Sequence, residues 1–221
     1  MNELNFSVLK PYINLIWPAL GITLKIGVFA FFAAVIIAII VGTLRAQKLY
    51  KVASILLTAY VEFFRGTPLL VQLFVVYYGL PAFGIKMDPI IASILTMGLN
   101  SGAYLSEAVR AAVLSVDKGQ YEAAAVLGFR PWQTLIHVVL PQALRIAIPS
   151  FMNGFSSIIK ETSLVSVLPI IELTKLGNQI YAKTYRPFEI YISLALVYFI
   201  LTYSVTFFAR WMERKMSVWI L

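Results

Sequence analysis

Four ionisable side chains stand inside otherwise apolar runs: Glu62, Arg65, Lys160 and Glu161. On insertion scales an Arg, Lys or Asp at the centre of a membrane helix costs about 2.5–3.5 kcal/mol. Such groups therefore face a cavity, a partner or one another. Glu62 and Arg65 are three residues apart and share a helix face, which predicts a structural ion pair. Lys160 and Glu161 are adjacent and point to different faces, so at least one must meet water, a substrate or another chain. Glu161 could receive an ammonium group, and Arg65 or Lys160 a carboxylate. Asn100, Thr162 and Ser163 could add hydrogen bonds without net charge. Ser101 reads as an interhelical hydrogen-bonding group, Lys25 as a snorkelling cation and His137 as a solvated loop residue.

This set can recognise a zwitterion, but it does not break bonds. No G-x-S-x-G elbow and no H-E-x-x-H pair occurs. The nearest approach to a phosphate-cradling loop, Gly79 to Gly84, is followed by Ile85-Lys86-Met87 and fails the pattern. The chain is therefore expected not to be an enzyme. With no cysteine and one histidine it offers neither a disulfide framework nor a dedicated transition-metal site.

The surroundings of these residues are what a bilayer requires. Of 221 residues 60% are hydrophobic and 13% charged, against about 45–50% and about 25% in a soluble domain. The net charge of +8 comes from basic residues that flank apolar runs, which fits membrane orientation signals rather than nucleic-acid binding. Met1 to Pro11 lacks the basic region and cleavage site of a signal peptide, so the first apolar segment is expected to stay.

Five segments predict an all-α integral membrane protein. The first is uncharged from Ile26 to Leu44. The second runs from near Val52 to about Tyr78 and reads as one broken span, because Pro68 lacks an N–H and disfavours helix at Thr67. The third, Pro89 to Ser106, carries Gly98 and Gly102, a small-xxx-small face for close packing. The fourth runs from about Ala143 to Leu168 and the fifth from Ile190 to Ala209. With the N-terminus outside, ten Lys and Arg residues fall on the inner side and five on the outer, which predicts a cytoplasmic C-terminus. No internal repeat or linker divides residues 1–221, so a single domain is expected.

The longest stretch between spans runs from Glu107 to Arg145. It predicts a short helix around Glu122, a turn at Gly128, and a second short helix opening at Pro131. In that second helix Trp132, Leu135, Ile136, Val139 and Leu140 form one apolar face. The face suits either the membrane surface or a cytosolic partner. Glu122-Ala123-Ala124, three residues, Gly128, nine residues, then Val138-Val139-Leu140-Pro141 closely resembles the EAA loop of binding-protein-dependent ABC transporter permeases. Only Val138, where that family usually has Ile, departs from its pattern. Arg65-Gly66-Thr67-Pro68-Leu69 with Gln72, Asn100-Ser101-Gly102-Ala103-Tyr104 with Glu107, and Lys160-Glu161-Thr162-Ser163-Leu164 look like the polar amino-acid (histidine, glutamine, arginine, cystine) branch.

The resemblance implies a type I importer permease fold with five spans, in the inner membrane of a bacterium. It implies a second permease chain, identical or related, and an extracytoplasmic amino-acid-binding protein. It also implies an ATPase dimer that holds ATP and Mg and docks on a coupling loop at about 112–142, through Glu122, Ala123, Ala124, Gly128, Leu140 and Pro141. Arg65 to Leu80, Phe83-Gly84-Ile85, Asp88-Pro89 and Asp117-Lys118-Gly119-Gln120 look most like cystine and glutamine permeases, with cystine the best single substrate. An ion-coupled secondary transporter is the competing reading. It usually carries inverted repeats, and none is present.

Overall fold

The computed structural model describes residues 4–47 and 50–217, with side chains to residue 208. Lys48 and the side chains of Arg210, Arg214 and Lys215 lie outside what it describes. The described residues are helical, with no strand among them. The α-helices are α1 (Ile13–Arg45), α2 (Lys51–Gly66), α3 (Leu69–Phe74), α4 (Pro89–Leu114), α5 (Lys118–Val126), α6 (Pro131–Thr134), α7 (Leu140–Glu161), α8 (Leu173–Thr184) and α9 (Pro187–Ser217).

Among these residues three helical runs are long and apolar enough to cross a membrane: Phe6–Arg45, Pro131–Val167 and Pro187–Phe208. A fourth is the pair α2 and α3 with its continuation to Phe83, bent by 105° at the break. The third expected span, α4, is not in that set. Its 26 residues give about 39 Å at 1.5 Å per residue, but Ser93, Thr96, Asn100, Ser101 and Ser106 dilute its apolar character. Those five side chains are buried in protein, and α4 packs against α1, α2, α3 and α7. It is the central helix, shielded by its neighbours.

The tightest seam joins α1 to α4. Ala30, Ala34 and Ala38 recur every four residues on the buried face of α1, while Phe29, Phe32, Ile36 and Ile40 point outward and exposed. Lipid solvates such an outward face. On the α4 side a Cβ placed on Gly102 would lie 2.8 Å from Ile37, and one on Gly98 2.8 Å from Ala33. The small-residue face read from the sequence is thus the contact surface for α1, and it lets the two backbones approach closely.

Helix starts follow local chemistry. Asp88 accepts from the N–H groups of Ile90 and Ile91 and precedes Pro89 at the first position of α4. Asp117 does the same for α5 through Gly119. Two elements differ from the sequence expectation. The second short helix at Pro131 is not separate, because helix runs on through a π turn at Leu135–Val139 into α7. That turn lies just before Pro141, whose missing N–H interrupts the α ladder. It also shifts the register of the wheel. Val139 is fully buried and Thr134 nearly so, while Trp132 and Ile136 are exposed, so the expected apolar face is split. The other difference is α8, whose polar sequence carries no spanning signal.

Candidate functional site

The site is built around the break between α2 and α3. Thr67 and Pro68 are extended, with ψ of 144° and 135°, as the proline dictates. Ending α2 there leaves the carbonyls of its last turn without helical donors, and side chains supply them. Thr67 Oγ1 donates to the carbonyl of Phe63 at 2.8 Å. Asn100 Nδ2 and Gln72 Nε2 both donate to the carbonyl of Phe64 at 3.0 Å, and the Tyr104 hydroxyl donates to that of Arg65 at 3.1 Å. Gln72 Nε2 also reaches the Thr67 carbonyl at 3.0 Å and Thr67 Oγ1 at 2.7 Å, and Asn100 Nδ2 donates to Gln72 Oε1 at 3.1 Å. Tyr60 adds a bond to the carbonyl of Leu99 at 2.7 Å. The break is therefore fastened to α4 along one face.

That same face of α4 lines a cavity of about 200 Å³ against α7. Asn100, Ser101, Tyr104 and Leu105 come from α4, and Gly154, Ser157 and Glu161 from α7. On α7 these residues recur at intervals of three and four, and on α4 Asn100 with Tyr104 and Ser101 with Leu105 each lie four apart, so each set forms one stripe. Glu161 is half-buried and Lys160, one step round the helix, is exposed. No basic side chain is among the lining residues. The polar groups of the wall are a carboxylate, an amide, two serine hydroxyls and a phenol, set beside Leu105 and Gly154.

Of the residues singled out in the sequence, Asn100, Ser101 and Glu161 are brought together here, with Asn100 and Glu161 61 positions apart. Thr162 is not in the lining. It is fully buried, donates to the carbonyl of Ile159 at 2.6 Å and packs toward Gly27 of α1. Ser163 donates to the carbonyl of Lys160 at 2.7 Å. Arg65 is exposed, with its guanidinium 5.5 Å from the centre of the Tyr104 ring. Glu62 is exposed too, and among the described residues no ion pair joins it to Arg65. The expected pair does not form, because Arg65 turns to the aromatic face instead.

The sequence reading gave no structural role to two further carboxylates, Glu107, which is half-buried, and Glu172, which is buried. Glu107 pairs with Arg45 at the end of α1 and with Arg110 at 3.2 Å. Glu172 is fully buried, caps α8 through the N–H groups of Thr174 and Lys175 at 2.8 and 2.6 Å, and accepts from the Tyr198 hydroxyl at 3.1 Å. Burial pushes the Glu172 carboxyl above its ordinary range, against the opposing pull of those donors. Only Glu172 followed by Leu173-Thr174-Lys175 hints at this, as a cap signal too short to weigh alone.

A second surface surrounds α5. Glu122 and Ala123 are exposed and Ala124 is buried. Gly128 turns the chain with φ of +81°, the left-handed conformation expected there. Val126, Leu127, Phe129, Trp132 and Ile136 are all exposed around this turn. Leu140 is half-buried and Pro141 exposed at the start of α7.

Known proteins share both the sequence and the arrangement. Residues 34–218 match the family described as binding-protein-dependent transport system inner membrane component. The chain is 38% identical over 206 residues to the L-cystine transport system permease protein TcyB of Bacillus subtilis, covering 91% of this chain and 88% of that one. It is 36% identical over 218 residues to the glutamine transport system permease protein GlnP of Escherichia coli, covering 98% and 99%. The crystal structure of an amino acid ABC transporter with histidines superposes with a TM-score of 0.87 at 33% identity, covering 97% of this chain and 100% of that one. A family match across most of the chain, with relatives aligned almost end to end, leaves one assignment: the chain belongs to the inner-membrane permease components of binding-protein-dependent ABC transport systems.

Proposed function

We propose that this chain is the permease subunit of an ATP-driven importer of polar amino acids, and that L-cystine is its substrate. The observation that carries the reading is the meeting of Glu161 and Asn100 in one cavity without a lining cation. A carboxylate with neighbouring acceptor oxygens suits an ammonium group, which would be costly unpaired in low dielectric. Arg65, one ring away across Tyr104, and Lys160, next to Glu161 in sequence, are the two candidate cations for a carboxylate. Cystine is supported by the B. subtilis relative at 38% identity. Glutamine, the substrate in the name of the E. coli relative at 36%, is the second reading.

Energy enters from outside the chain. In this reading an ATPase dimer, with its ATP and Mg, docks on the exposed surface around Glu122, Ala123, Ala124, Gly128, Leu140 and Pro141. An extracytoplasmic binding protein delivers the amino acid, and a second permease chain, identical or related, completes the path. A single membrane domain spanning 1–221 with the N-terminus outside fits this scheme, because the coupling loop then falls in the cytoplasm.

The test is uptake of labelled L-cystine and L-glutamine into liposomes holding the complete complex and its binding protein. Glu161→Gln keeps shape and removes charge. Transport should fall at least about ten-fold, the loss expected for a hydrogen bond to a charged partner, while the complex still assembles. Unchanged uptake of both amino acids in that variant would move the pocket elsewhere.

A further inference from the structure

Gln72 is not among the residues that line the cavity, but it bonds Asn100, which is. Its side chain is 5% exposed and lies between the two halves of the broken span. Gln72 Nε2 faces the carbonyls of Phe64 and Thr67 at 3.0 Å each. A backbone carbonyl only accepts, so the amide nitrogen must point that way. Gln72 Oε1 is then turned toward Asn100, at 3.1 Å from Nδ2. Asn100 Nδ2 meets a second acceptor, the Phe64 carbonyl, at 3.0 Å, and both its hydrogens are used. Asn100 Oδ1 receives no hydrogen bond from the described residues, and Asn100 is part of the cavity wall.

We propose that Gln72 is a positioning residue for substrate recognition: it locks the Asn100 amide so that the cavity meets an oxygen rather than an NH₂ group. Two carbonyls freed by the break at Pro68 thus set, through two amides in series, the polarity of a wall on another helix. With Glu161 across the cavity, the locked oxygen makes the wall acceptor-rich and favours entry of the ammonium end of the amino acid. Turned over, Asn100 would present two donors to that ammonium and leave a buried carbonyl oxygen against the Phe64 carbonyl, and each mismatch is unfavourable. The proposal rests on the reading of Glu161 and Asn100 as substrate-lining residues.

With no amide at position 100 there is nothing left for Gln72 to orient, so a change at Gln72 should then no longer reach the cavity. The experiment therefore places Gln72→Leu in the native background and in Asn100→Leu. L-cystine uptake is followed in liposomes with the ATPase and binding protein, and the thermal midpoint of each purified complex is recorded. With Asn100 present, Gln72→Leu should lower uptake about ten-fold. In the Asn100→Leu background, where uptake is already lowered, the same change should alter what remains by less than about two-fold. Equal losses in the two backgrounds would make Gln72 a plain helix cap and overturn the proposal, as would no loss in the native background. Glu161→Gln and Asn100→Leu, run alongside, separate the failures. If both leave uptake unchanged, the cavity reading itself falls. If they lower it and Gln72→Leu does not, only the positioning role falls. Should Gln72→Leu fail to insert, Gln72→Met fills a similar volume without a donor and gives the same contrast.

Discussion

Glu107 holds Arg45 and Arg110 together, and the two arginines are unequal. Arg45 belongs to α1, 62 positions away, with a side chain 12% exposed; Arg110 is one turn along the same helix and 36% exposed. Only the first bond ties two helices. Arg45→Gln should therefore cost about 1.5–3 kcal/mol, the range for a hydrogen bond to a charged group. Arg110→Gln should cost less than about 1 kcal/mol, as solvent-screened pairs one turn apart do. Thermal midpoints of the two variants in detergent check the ranking, and equal losses would refute it. Glu172 behaves differently because burial favours its neutral form. Its native carboxyl binds a proton more tightly than the unfolded one. This contribution is fully present below the ordinary value of 4.5 and is lost as pH rises through the raised native value. Glu172→Gln should flatten the stability profile in that interval, measured as midpoint against pH. An unchanged slope would assign the pH dependence to other groups.

At the scale of elements, the turn after α5 depends on backbone freedom and not on space. Gly128 sits at φ of +81°, and nothing lies within 4 Å of where a Cβ would stand. A valine there meets the full cost of a left-handed conformation for a β-branched residue, more than the roughly 1–2 kcal/mol usual for L-residues. Asparagine adopts that conformation readily. Gly128→Val should weaken ATPase docking and transport, while Gly128→Asn should stay near wild type, read by pull-down with the ATPase and by uptake. Loss in both would point to a steric contact made by the partner. This glycine was legible from sequence because a turn between two helix signals has few solutions. The broken second span was legible for a similar reason, since Pro68 acts through local sterics. The continuous helix from Pro131 to Val167 was not. Its π turn inserts a register shift that a fixed 100° wheel cannot contain. The short α8 escaped because its burial depends on contacts with α1 and α9. The cavity was half legible. Asn100 and Glu161 announced themselves as polar groups in apolar runs, whereas Tyr104, Ser157 and Gly154 look ordinary until α4 and α7 are packed.

At the scale of the whole molecule, two features lie close along the chain. The cavity lies between α4 and α7, while the exposed turn around Gly128 lies on the chain that joins them through α5 and α6. Motion imposed at the turn has a short mechanical route to the cavity, because α6 continues without interruption into α7, the helix that carries Glu161. The same geometry leaves Val126, Leu127, Phe129, Trp132 and Ile136 exposed next to the acidic Glu122, an apolar patch with a charged rim that suits a protein partner. Glu122→Lys reverses that rim without touching a span, so the variant should insert normally. With the ATPase present, hydrolysis stimulated by loaded binding protein should fall, chiefly through weaker docking, and should recover in part at higher ATPase concentration. The purified chain alone should hydrolyse no ATP, because the one glycine-spaced stretch, Gly79 to Gly84, lacks the lysine and hydroxyl that a phosphate loop requires. Hydrolysis by the chain alone would overturn that division of labour. Full stimulation of the Glu122→Lys complex at limiting ATPase would remove the turn from the docking surface.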